Sequence, residues 1–306
     1  MTSAVSSEPR IYENVTQLVG QTPLVEIHSH GVRGVKIYAK LESFNPGGSV
    51  KDRPAIRMVE EGIRSGKLTP GKAILDATSG NTGIAYAMIG AALGFKVVLA
   101  VPANVSEERK RILKSFNAEV HYSSEMDGSY GAILLARELY REDPDRYFTP
   151  DQYNNPENPK AHELTTAVEI MDQLGGEITH FAAGIGTSGT LMGTGRGLKK
   201  LKPSVQVVAL EPAEPFHGLE GLKHMASSIV PGIYDPSVYD RKISIDTDES
   251  YEWVKTLARK EGVLAGLSSG GAMAGCVQLA KEIKQGCIVT VFADSGDKYL
   301  STRVWE

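Results

Sequence analysis

Two short stretches carry the residue types best suited to chemistry: FNPGGSVKDR (Phe44 to Arg53), with a lysine beside paired glycines, and GIGTSGT (Gly184 to Thr190), which mixes glycines and hydroxyls. GIGTSGT has the Gly-x-Gly-x-x-Gly spacing of strand–turn–helix units that hold a dinucleotide. It follows the apolar run ITHFAAG and opens the helix-like LMGTGRGLKKL. The next apolar run, VQVVALE, ends in Glu211, about where a ribose-binding acid would fall. An NAD-dependent oxidoreductase built on Gly184, Gly186, Gly189 and Glu211 is therefore one reading. It leaves Lys51 without a role.

The second reading uses more of the residues. A helix N-terminus offers unpaired N–H groups and positive partial charge, which suit a phosphate or carboxylate. Besides GIGTSGT, both FNPGGSVKDR and DATSGNTG (Asp76 to Gly83) place glycines and small hydroxyls at helix starts. Thr187, Ser188 and Thr190 add hydroxyls that a terminal phosphate monoester, with three free oxygens, would use. Lys51 near a helix start has its ammonium form disfavoured, which suits a Schiff-base nucleophile and general base. A phosphate cup together with such a lysine points to pyridoxal phosphate.

The elements that must position these residues are legible in outline. Apolar runs of strand length (VKIYAKLE, AILDAT, KVVLAVP, ITHFAAG, VQVVALE, CIVTVFADS) alternate with helix-like segments. Those segments are SVKDRPAIRMVEEGIRSG, GNTGIAYAMIGAALG, SEERKRILKSFNA, GSYGAILLARELYRED and NPKAHELTTAVEIMDQL. Such alternation indicates an α/β protein with parallel sheets and crossover helices. SEERKRILK, a serine followed by two glutamates, reads as a solvated amphipathic helix with a capped start. The Asn/Pro-rich DQYNNPENPK is the clearest mid-chain break.

At 306 residues the chain suits two domains or one large α/β domain, and 41% apolar with 23% charged residues is a globular composition. A net charge of −4 gives no electrostatic reason to bind nucleic acid or an anionic membrane. The most apolar window, Ile84 to Val101, is broken by Gly90, Gly94 and Lys96, which argues against a membrane span. MTSAVSSEPR lacks the pattern of a secretory signal, and Cys276 and Cys287 have no metal-ligand spacing. The expectation is a cytoplasmic enzyme with no metal site.

Taken together, these segments resemble the cysteine synthase (O-acetylserine sulfhydrylase) family of pyridoxal-phosphate enzymes, collinearly from LVGQTPLVEI to DSGDKYLST. The resemblance implies two open parallel-sheet domains with flanking helices, the architecture of the tryptophan synthase β-subunit and of PLP fold type II. It implies that residues 46–153 form a smaller mobile domain, with 1–45 plus 154–306 forming the larger. Lys51 becomes the Schiff-base residue. Thr78, Ser79 and Thr82, with Gln152, would hold the substrate carboxylate, and Asn81 the cofactor's 3′ oxygen. Gly186, Thr187, Ser188, Gly189 and Thr190 would take the cofactor phosphate, and Ser268 of GLSSGG would face the pyridine nitrogen. Ile185 and Ser188 stand where threonine and glycine are commoner in the family.

The activity implied is β-replacement: an O-activated serine loses acetate or phosphate, and a sulfur nucleophile adds at Cβ to give cysteine. The stretch PAEPFHGLEGLKHMASSIVPGIYD (Pro212 to Asp235) resembles the O-phosphoserine-using branch, where an arginine at the position of Lys223 binds the substrate phosphate. Partners implied are O-acetyl-L-serine or O-phospho-L-serine, sulfide, a second copy of the chain as a homodimer, and a sulfur-carrier protein or serine acetyltransferase. Cystathionine β-synthase is the nearest rival; the expectation is of neither a haem-binding extension nor a C-terminal regulatory module.

Overall fold

The computed structural model describes residues 11–305 apart from Ser79. After a short 3-10 turn the chain runs through β1 (Leu24–Ile27), β2 (Val35–Leu41), α1 (Asp52–Arg64), β3 (Ala73–Ala77) and α2 (Asn81–Leu93). It continues through β4 (Lys96–Pro102), α3 (Glu107–Ser115), β5 (Glu119–Ser123), α4 (Gly128–Glu142) and β6 (Tyr147–Phe148). Next come α5 (Glu157–Leu164), α6 (Thr166–Leu174), β7 (His180–Gly184), α7 (Gly189–Leu201) and β8 (Gln206–Pro212). The last elements are β9 (Arg241–Ile245), α8 (Thr247–Thr256), α9 (Leu267–Ile283) and β10 (Gly286–Phe292).

The strands form two sheets. One has six strands in the order β1-β2-β10-β7-β8-β9, and the other has four in the order β5-β4-β3-β6. Every pairing is parallel except β1 with β2, an antiparallel edge. This is the expected pair of open parallel sheets. The central strands are continuous apolar runs because helices cover both faces. Along β7, β8 and β10, Ala182, Leu210 and Ile288 point into a core with α9, whereas Phe181, Ala209 and Val289 point into a core with α6 and α7. In the smaller sheet, Ile74 and Leu99 pack against α1 and α2, and Leu75 and Val98 pack toward α4.

NPKAHELTTAVEIMDQL is two helices, not one. At Thr165 (φ −122°, ψ −67°) the chain turns, and its hydroxyl donates to Ala161 O at 2.7 Å while accepting from Arg53 at 3.0 Å. That arginine belongs to a buried network. Its guanidinium pairs with Glu42 at 2.7 Å and Glu169 at 2.6 Å, and Lys40 reaches Glu169 at 2.8 Å. The first turn of α1, directly after Lys51, is thereby tied to β2 and α6.

The α3 segment departs from expectation. Ser106 makes no side-chain capping bond, and Arg109 is buried rather than solvated. Arg109 shares the inward face with Leu113, one turn on, and pairs with Glu220 at 2.6 Å. Among the described residues no helix is long and apolar enough to cross a membrane.

Candidate active site

Parallel sheets leave crevices beyond the C-terminal ends of their strands. Here a cavity of about 670 Å³ opens there, bounded by segments that follow β3, β4, β7 and β10. Lys51, Thr78, Asn81, Thr82, Gln152, Gly186, Thr187, Ser188, Thr190, Lys223 and Ser268 all line it. Gly189 stands directly behind the wall as the first residue of α7. Ser79 lies outside the described residues.

The loop carrying Lys51 is laced to the segment after β10. Val50 N donates to Ala293 O at 2.8 Å, and Gly48 O accepts from Lys298 Nζ at 3.0 Å. Gly48 sits at φ +76°, a conformation open to glycine at little cost. Lys51 itself caps α1, and among the described residues its amine has no ion pair or hydrogen bond. Burial pushes that amine below its ordinary pKa, and the charge of Asp294 only partly opposes this. A lysine in that state is prepared for nucleophilic and proton-transfer work.

Opposite Lys51, β3 ends and α2 begins within DATSGNTG. Thr82, in the first turn of α2, donates its hydroxyl to Gln152 Oε1 at 2.9 Å, and both residues are buried. Thr78 precedes the helix and lines the cavity. This set of hydroxyls, an amide and a helix N-terminus can accept a carboxylate.

GIGTSGT runs from the end of β7 into α7. Ser188 takes φ +73°, and its hydroxyl is buried with no partner among the described residues. An orphaned buried hydroxyl is costly unless a ligand satisfies it. A Cβ on Gly186 would overlap Gly221 O, and one on Gly189 would overlap the Asn158 amide. The turn is therefore packed tightly between the Gly221 backbone and the Asn158 side chain, with no room for a side chain at either glycine. A phosphate monoester fits this set of hydroxyls and helix-start amides.

The cup is held from behind by α5. Asn158 Nδ2 donates to Thr187 Oγ1 at 3.2 Å and to Gln152 O at 2.6 Å. His162, buried, contacts Thr190 Oγ1 at 3.3 Å. Glycines at 189, 193 and 197 form one stripe of α7, and added Cβ atoms there would strike Asn158, Pro159 and Ala167. The small stripe is what lets the supporting helix come so close.

Ser268 lies in the first turn of α9 and faces the cavity, while Ser269 is fully buried and accepts from Ala293 N at 3.2 Å. Lys223 is half-buried, with Nζ 5.3 Å from the Tyr153 ring centroid. Burial lowers its pKa, and among the described residues its ammonium has no carboxylate partner. A cation held at the cavity wall without a counter-charge can receive an anion.

Glu211 does something other than bind ribose. It is buried, accepts from Met225 N at 2.7 Å and pairs with Lys242 at 2.7 Å, fastening the loop after β8. Cys276 and Cys287 are free, buried thiols, and burial pushes them up to about 12 and about 11. Sequence reasoning passed over Asn158, His162, Asp294 and Lys298. Lys298 and Asp294 lie in DSGDKYLST, a segment noted only as the end of the resemblance, and Asn158 and His162 looked like ordinary helix residues.

A family model described as "Pyridoxal-phosphate dependent enzyme" matches residues 15–294. The chain is 53% identical to the cysteine synthase of Aquifex aeolicus over 301 residues, which cover 96% of this chain and 92% of that one. Isoform 3 of O-acetyl serine sulfhydrylase from Entamoeba histolytica superposes with a TM-score of 0.94 at 36% identity, covering 100% of this chain and 95% of its own. An O-acetylserine dependent cystathionine beta-synthase from Helicobacter pylori gives a TM-score of 0.90 at 34% identity, covering 95% and 100%.

Proposed function

The chain belongs to the pyridoxal-phosphate dependent enzymes, in the cysteine synthase family, and on that basis we propose that it makes L-cysteine by β-replacement on an O-activated L-serine. The observation that carries this reading is one cavity lined by both the Lys51 amine and a glycine turn with the Ser188 hydroxyl, neither of which has a partner among the described residues.

Gly186, Thr187, Ser188, Gly189 and Thr190 would hold the cofactor phosphate, Asn81 its 3′ oxygen, Ser268 its pyridine nitrogen and Lys51 its carbonyl carbon. Bound there, pyridoxal phosphate supplies an electron sink conjugated to the substrate's Cα. The remaining work belongs to the protein. Thr78, Ser79, Thr82 and Gln152 orient the substrate through its carboxylate. Lys51, with its lowered pKa, takes the Cα proton and later returns it. Acetate or phosphate leaves from Cβ, and sulfide or carrier-bound sulfur adds there. Ser268 offers a hydroxyl where a carboxylate would keep the pyridine nitrogen protonated, so less charge is delocalised and loss of the β group is favoured over racemisation.

Lys223 is the proposed phosphate partner of an O-phosphoserine substrate. Residues 46–153 are the proposed mobile domain, closing on residues 1–45 and 154–306 when the carboxylate binds. A homodimer, a cytoplasmic location, and docking of a sulfur-carrier protein or serine acetyltransferase complete the proposal. An oxidoreductase is disfavoured because Glu211 is already engaged by Met225 and Lys242. Cystathionine β-synthase differs only in the nucleophile, and the Helicobacter pylori likeness keeps it as the second reading.

The deciding assay supplies O-acetylserine and O-phosphoserine separately, each with sulfide or with homocysteine, and identifies the product. Cysteine as the main product supports the proposal. Cystathionine formed faster than cysteine would replace it with the second reading.

A further inference from the structure

Asn81, the first residue of α2, has both ends of its amide held by charged groups from the far end of the chain. Lys298 Nζ donates to its Oδ1 at 2.8 Å, and its Nδ2 donates to Asp294 Oδ2 at 2.7 Å. Asp294 and Lys298 are both buried. An ionised carboxylate only accepts and an ammonium only donates, so the pair permits one orientation of the amide and forbids the flipped one. A flip would set an N–H against the ammonium and a carbonyl against the carboxylate.

The partners are themselves fixed. Tyr299 donates its hydroxyl to the same Asp294 oxygen at 2.8 Å, and Lys298 also donates to Gly48 O at 3.0 Å, in the loop that leads to Lys51. Asn81 Nδ2 carries a second N–H that neither partner uses, and Asn81 lines the cavity. The ammonium at the carbonyl end draws electron density from the amide and makes that remaining N–H a stronger donor.

We propose that Lys298 and Asp294 are positioning residues that lock and polarise the Asn81 amide, so that its free N–H stabilises the ionised 3′ oxygen of the cofactor. This rests on the reading of the cavity as a pyridoxal-phosphate site. Lys298 lines the same cavity, but in this role it acts on the Asn81 amide alone. Its effect passes through one amide.

The test uses the loaded wild-type enzyme, Lys298→Met, Asn81→Ala and the double variant. The readouts are the ratio of visible to near-ultraviolet cofactor absorbance against pH, and the affinity of the stripped protein for pyridoxal phosphate. Lys298→Met should lower the absorbance ratio and weaken cofactor binding about tenfold, the scale of one charge-assisted hydrogen bond. In the Asn81→Ala background the same substitution should change little, because the amide through which it acts is gone. Lys298→Gln keeps a donor of similar length without the charge. It should give a smaller shift of the same sign, which keeps the test available if the Met variant does not fold. A wild-type spectrum in the Lys298 variants, or a shift that persists undiminished in Asn81→Ala, overturns the proposal. A wild-type protein that takes up no pyridoxal phosphate overturns the underlying reading instead, and is seen before any variant is made.

Discussion

His162 Nε2 stands 3.3 Å from the hydroxyl of Thr190, and its Nδ1 is 2.9 Å from Thr166 Oγ1. Burial first, and the charge of Arg53 second, hold this histidine at about 3, so it is neutral in the folded protein at ordinary pH. The unfolded chain binds a proton there near pH 6.5, whereas the folded chain does so only near pH 3. The stabilisation is therefore full above about pH 6.5 and is lost as pH falls toward 3, at up to about 1.4 kcal/mol per pH unit. Denaturant melts between pH 4.5 and 6.5 should show His162→Gln with a flatter pH dependence than wild type. Parallel curves would remove His162 from this role.

The network around Arg53 acts at lower pH. Burial opposes ionisation of Glu169, but its bonds to Arg53 and Lys40 prevail and hold it at about 2; Arg53 likewise keeps Glu42 below its usual range despite burial. Depressed carboxylates stabilise above their unfolded pKa and lose that contribution as pH drops through the folded value, here from about 4.5 toward 2. Removing one partner of a buried pair leaves an uncompensated charge, so Arg53→Met should cost about 3–5 kcal/mol in urea unfolding. A cost under about 1 kcal/mol would show that the network is not anchoring α1.

Contiguity explains what could be read in the sequence. Lys51 beside its glycines, the hydroxyls of Thr187, Ser188 and Thr190, and the alternation of apolar runs with helices are all local patterns. Two-sided burial explains why β4, β7, β8 and β10 appear as near-continuous apolar runs, whereas β2 carries Lys36 and Lys40 within its run. The short edge strands β1, β5 and β9 and the two-residue β6 lack that signal. The supports of the site are the opposite case. Asn81 meets Asp294 and Lys298 across 213 and 217 positions of chain, and Asn158 reaches Thr187 across 29. Nothing local marks such residues. The break between α5 and α6 was invisible for the same reason, since the Thr165 hydroxyl that turns it is also bound by the distant Arg53.

Gly189 tests the cup without touching a side chain that binds. An added methyl would overlap the Asn158 amide, which supports Thr187 and the Gln152 backbone. Gly189→Ala should destabilise by about 1–3 kcal/mol through overpacking and weaken cofactor binding at least several-fold. Gly193→Ala, one turn further along α7, would strike Pro159 instead and should destabilise while disturbing the cofactor less. Equal losses of cofactor affinity in the two variants would mean that the supporting helix, not the cup, is the sensitive element.

Lys223 is the proposed discriminator between leaving groups. It sits over the Tyr153 ring at the cavity wall, and burial disfavours its charge in the absence of an anion. An O-phosphoserine phosphate would supply the missing counter-charge, whereas an O-acetyl group would not. Lys223→Ala should lower kcat/KM for O-phosphoserine by roughly 10- to 100-fold, the range of a charge-assisted hydrogen bond, and leave O-acetylserine nearly unchanged. Lys223→Arg should keep or improve the phosphorylated substrate, because a guanidinium can bind a phosphate through two N–H groups. Formation of the first half-reaction product can be followed spectrally for each substrate in turn. Equal effects on both substrates, or none on either, would take Lys223 out of substrate selection and leave it as a lysine packed on an aromatic ring.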